Sequence, residues 1–168
     1  RLPDIALSVS ITALWSMAMY TLYVYLGTGL VLYYNYTTYQ VAATITFYGL
    51  GAVGGSLLSG KLTDNFGARK VSIIFALLLT IIFPLLNCGF AFLSLNYSLM
   101  LLWAFLGYAS FASHQARLAE EYASCRGFAL AWNNTSLYVG ITLGSMLGGY
   151  IMDNWGFLPL PFVCGTIA

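Results

Sequence analysis

The chain has 168 residues, 60% of them apolar or aromatic and only 7% charged, with a mean hydropathy of +0.82. Soluble domains carry roughly 25% charged residues because a wet surface must be polar, so six basic and five acidic side chains exclude a soluble globular enzyme and a disordered segment. A net charge of +1 offers no basic footprint for nucleic acid, which leaves membrane lipid as the solvent of the chain.

A helix rising about 1.5 Å per residue needs about 20 apolar residues to cross a hydrocarbon core of about 30 Å. That ruler predicts an all-α integral membrane domain over 1–168. Residues 5–26 form its first span and 41–60 its second. The long apolar stretch that follows holds two more, at 71–93 and 98–116, joined by a turn at Ser94 to Tyr97. Pro84 falls inside the third span, where a membrane bundle tolerates the kink. The fifth span is 127–152, and 157–168 opens a sixth that is cut off. The first apolar stretch is too long for a signal peptide. Because the sequence begins at Arg1 and stops within an apolar run, a fragment is expected.

Basic residues accumulate in cytoplasmic loops. Lys61, Arg69 and Lys70 lie between the second and third spans and Arg117 and Arg126 between the fourth and fifth, while the alternate loops carry none. This places the N-terminus in the cytoplasm of a multi-pass protein and the loop from Gly27 to Gln40 outside. Tyr33, Tyr34, Tyr36 and Tyr39 in that loop suit an aromatic belt at headgroup level. Cys88, Cys125 and Cys164 fit neither a zinc spacing nor a paired framework and read as small apolar fillers, with no metal or other cofactor implied.

The second span runs into Lys61-Leu-Thr-Asp64-Asn-Phe-Gly67-Ala-Arg69-Lys70, a turn so short that Gly67 must supply a positive φ. Asp64 is placed to accept from backbone donors or to face the positive end of a neighbouring helix. An ordinary positive-inside loop is the simpler reading, but Gly60, Asp64, Gly67, Arg69 and Lys70 at this spacing are more specific. The pattern closely resembles the cytoplasmic signature loop of the major facilitator superfamily. Asn133-Asn-Thr-Ser followed by Gly140, Gly144, Gly148 and Gly149 is similar to the eleventh helix of that family's drug and sugar (arabinose-efflux-like) branch. Glu120-Glu121 and Arg126-Gly127 resemble the punctuation before it, although a proline is absent. The first span, with Trp15 and Tyr23-Val-Tyr25, is similar to the seventh helix. No arginine lies in the middle of the fourth span, so the C-terminal half of a twelve-helix fold fits better than the N-terminal half.

Membrane helices associate through small residues at four-residue spacing. Gly51 and Gly55 make one such stripe, and Gly140, Gly144 and Gly148, with Gly149 beside them, make another. The resemblance implies that these faces pack and rock against a missing N-terminal six-helix half, whereas the simpler alternative is tight packing inside this one. It also implies that the first and fourth spans line a central cavity, with Thr12, Trp15, Met19 and Tyr23 on the first and Tyr108, Phe111, His114 and Gln115 on the fourth. Packing is the plain alternative for each ring. His114, the only titratable group inside a span, reads either as a satisfied interfacial histidine or as a protonation site. Asn133 and Asn134 are polar intrusions suited to interhelical hydrogen bonds at the boundary between halves, with Asn133 also a candidate cavity residue.

No acid or base sits in the middle of a span, where it would cost about 2.5 to 3.5 kcal/mol. The resemblance implies a secondary active transporter in the plasma membrane. It would move a small organic solute by alternating access, as an efflux antiporter, with the Asp64 loop gating the cytoplasmic side. The alternatives are a non-transporting membrane subunit or truncated remnant, and an embedded enzyme. The last lacks a catalytic set at depth.

Overall fold

The computed structural model describes residues 2–168, with side chains from residue 5 onward. Arg1, on which the expected fragment partly rests, and the Asp4 side chain lie outside the described residues. The described residues contain six α-helices and no strand: α1 (Leu2–Tyr34), α2 (Thr38–Phe66), α3 (Ala68–Gly89), α4 (Leu93–Glu121), α5 (Arg126–Trp155) and α6 (Leu160–Ile167), with a single 3-10 turn at Ala123–Cys125.

Helices α1 to α4 are each long and apolar enough to cross a membrane. Helix α5 is as long, at 30 residues, but its run from Asn133 to Ser136 and its glycines leave it less apolar. Most helices outrun the apolar stretches that predict them. At 33 residues α1 is about 50 Å long, well beyond a hydrocarbon core of about 30 Å. Only Asn35 to Thr37 separate it from α2. Asn35 takes φ 55°, and a capping box starts α2, with the Thr37 hydroxyl accepting from the Gln40 N–H while the Gln40 side chain accepts from the Thr37 N–H.

Two expectations are corrected at the loops. The break between α3 and α4 falls at Phe90 to Phe92, and Ser94 to Tyr97 are helical. Asn96 is buried in the helix, and its amide N–H donates to Thr44 Oγ1 of α2 at 2.9 Å. The tyrosine belt is also only half a belt. Tyr33 and Tyr39 are exposed, whereas Tyr34 packs on Phe90 and Phe157, and buried Tyr36 donates to the Phe90 carbonyl at 3.1 Å. Burial pushes the Tyr36 phenol above its usual pKa, with Tyr97 and Tyr34 adding to the rise, so it remains a neutral donor.

Packing follows a simple plan: α5 lies along α1 and α2 along α4, while α3 leans on α4 and α6 fits between α1 and α3. Large side chains such as Met19, Phe83, Leu86, Phe90 and Trp103 fill the centre and are wholly buried.

Candidate functional site

Helix α1 has two sides of different chemistry. Along one, the carbonyls of Ala13, Met17 and Thr21, each four residues from the last, face Gly140, Gly144 and Gly148 of α5. A Cβ on Gly144 would sit 2.6 Å from the Met17 oxygen, and one on Gly148 2.5 Å from that of Thr21. Gly149 backs onto the Tyr25 hydroxyl, which itself donates to the Ser145 carbonyl at 3.0 Å. The second stripe behaves alike, since Gly51 and Gly55 abut the Leu101 and Phe105 carbonyls of α4. These six glycines were expected at a boundary with an opposite half. That reading is corrected: glycine here removes the Cβ so that two backbones of the same bundle can touch.

Along its other side α1 presents rings. Trp15 stacks on Phe111 of α4 at 4.8 Å between centroids and meets Tyr108 edge-on at 6.1 Å. Tyr23 contacts Tyr20 and, at 4.7 Å, Tyr48 of α2, and Tyr48 in turn touches Tyr108 and Trp103. The Tyr20 and Tyr48 phenols both lie close to that of Tyr108. Tyr20, Tyr23, Tyr108 and Phe111 remain partly exposed. Of the predicted cavity residues, Trp15, Tyr23 and Tyr108 are therefore brought together. Tyr20 and Tyr48 join them without having been singled out; the only signal was their position two or more turns inside spans rich in tyrosine.

Met19 and Asn133 are corrected, because each is spent inside the bundle. Met19, 1% exposed, lies against Gly107 of α4, where a Cβ would meet its methyl at 2.7 Å. Asn133, 0% exposed, accepts from the Thr12 hydroxyl, so this bond ties α5 to α1 within the bundle. His114, 3% exposed, donates from Nε2 to the Ser8 carbonyl at 3.1 Å. It also lines a cavity of about 200 Å³, together with Thr12, Trp15, Ser72, Ser110 and Phe111 among others. The cavity is mostly apolar, but the His114 Nδ1 and Trp15 Nε1 atoms are buried without partners, and an ordered water beside them would satisfy both.

The charged turn is mostly helix. Helix α2 runs through Lys61 and Asp64 to Phe66, and Gly67 alone makes the turn, with φ +86° and ψ 137°, a conformation closed to residues with a Cβ. Gly60, Asp64, Arg69 and Lys70 are exposed. Among the described residues the single ion pair is Arg117 to Glu121 along α4, at 3.4 Å. Asp64 is therefore in the last turn of its own helix, where the dipole does not favour a carboxylate.

The profile described as the Major Facilitator Superfamily matches residues 8–168. The chain is also 21% identical, over 167 residues, to the MFS-type transporter YwfA of Bacillus subtilis (strain 168). The match takes in 99% of this chain and 40% of that protein, so the chain spans about two fifths of the length of its relative.

Proposed function

Because the chain belongs to the Major Facilitator Superfamily, we propose that it is the C-terminal six-helix half of a secondary active transporter of the drug and sugar efflux branch. The whole protein would carry a small amphipathic organic solute out across the plasma membrane, with the N-terminus of this segment in the cytoplasm. The observation that carries this reading is the ring face of α1, α2 and α4. Tyr20, Tyr23 and Tyr108 are partly exposed there, and phenols offer an apolar body with a neutral hydrogen-bonding tip. Such a surface suits a solute that is part ring or chain and part polar group.

Alternating access requires contacts that form in one state and break in another. Asp64 and Arg69 are exposed and unpaired among the described residues, which supports a role in contacts made with the other half of the whole protein. The test is solute flux by the full-length protein in liposomes under an imposed pH gradient. Asp64→Asn should lower turnover several-fold while leaving apparent affinity near that of the parent. A variant with unchanged turnover would remove Asp64 from the gate, and absence of gradient-driven flux for every amphipathic solute tried would remove the transport reading.

A further inference from the structure

Where α2 ends and α3 begins, Leu62, Phe66, Val71, Ile74, Phe75 and the stem of Lys70 enclose a groove of about 280 Å³. Its walls are almost wholly apolar, yet it lies at the charged end of both helices. Phe66 is 63% and Ile74 55% exposed, so the groove opens outward and is not part of the core. Within ten residues the same turn carries Lys61, Arg69 and Lys70 against Asp64 alone, all of them exposed. No ion pair among the described residues engages them.

We propose that this groove is a binding site for an anionic phospholipid, with an acyl chain lying along Phe66, Ile74 and Phe75 and the headgroup phosphate held at the rim by Lys70. Two observations select that occupant together. The wall chemistry demands an apolar segment, since a polar peptide laid there would lose its hydrogen bonds to water without replacement. The rim demands a negative charge at the depth where helices that cross a membrane meet its headgroups, and a lysine whose stem lies on apolar surface delivers its ammonium to that depth. A phospholipid supplies both ends in one molecule. The site is separate from the ring face and does not depend on what the protein carries.

Native mass spectrometry of the full-length protein in detergent tests this, with phosphatidylglycerol and phosphatidylcholine of identical chains offered in competition. Retention of phosphatidylglycerol should exceed that of phosphatidylcholine about five-fold, the preference expected for one basic residue near an anionic headgroup. Lys70→Gln should abolish the preference and Lys70→Arg should keep it. Ile74→Trp, which fills the groove and leaves every charge in place, should lower retention of both lipids. The melting temperature in phosphatidylcholine alone checks that each variant is folded. Equal retention of the two lipids, or a wild-type preference in Lys70→Gln, overturns the proposal. So does displacement of phosphatidylglycerol by an equal concentration of inorganic phosphate, or a dimer that forms without lipid and is broken by Phe66→Ser.

Discussion

The two sides of α1 differ in what they ask of a neighbour. Toward α5 it offers backbone: three carbonyls in register with three glycines, fastened by Thr12 to Asn133 and by Tyr25 to the Ser145 carbonyl. Toward α4 and α2 it offers rings at 4.7 to 6.1 Å between centroids, some of them partly exposed. A backbone seam has no slack, because an added carbon meets another helix. A ring face has slack, because aromatic edges and faces satisfy one another over a range of tilts. The first surface holds the bundle together, and the second is free to meet something else.

Three substitutions probe that difference, two in the seam and one in the ring face. Gly140→Leu drives a side chain into Ser16 and the Ala13 carbonyl. It should cost at least the 1 to 3 kcal/mol of about one or two forced methylenes in a packed core, seen as lost monodisperse protein in detergent. Normal expression and melting would return this stripe to a boundary between halves. Asn133→Ala removes the acceptor of the Thr12 hydroxyl. Interhelical hydrogen bonds in membranes are worth about 0.6 kcal/mol and rarely more than about 1.7, so a modest fall in melting temperature is expected. A fall as large as that of Gly140→Leu would show the clasp, and not backbone contact, to dominate the seam. Tyr108→Ala strips the ring shared by Trp15 and Tyr48. Each aromatic pair is worth about 0.5 to 1.5 kcal/mol, so melting should fall; if the face binds solute, the apparent affinity of the folded protein should weaken as well, by up to about ten-fold. Unaltered affinity would reduce the face to packing.

Much of the fold was legible because lipid imposes a coarse rule. Length and apolarity mark a span, and the turn at Gly67 was readable because it is the only glycine between Lys61 and Lys70 and takes a positive φ at no steric cost. Less of the site was legible. Four-residue glycine spacing announces a close contact but carries no address: Gly51 and Gly144 read the same whether they meet Leu101 and Met17 or a helix outside the chain. Ser94 to Tyr97 were mistaken for a turn because polarity in sequence does not reveal a partner in space, and Asn96 has one in Thr44.

The sequence by itself determined that this is a helical membrane protein, where its chain crosses from apolar to charged, and, through the Asp64 to Lys70 pattern, its family. Those properties are local, since each depends on a window of residues and the solvent around it. Only the tertiary structure decided which side of each helix is spent on packing. It sent Met19 and Asn133 into the packed interior, set His114 against a cavity and left Tyr20, Tyr23 and Tyr108 at the edge, because burial depends on the helix that lies opposite.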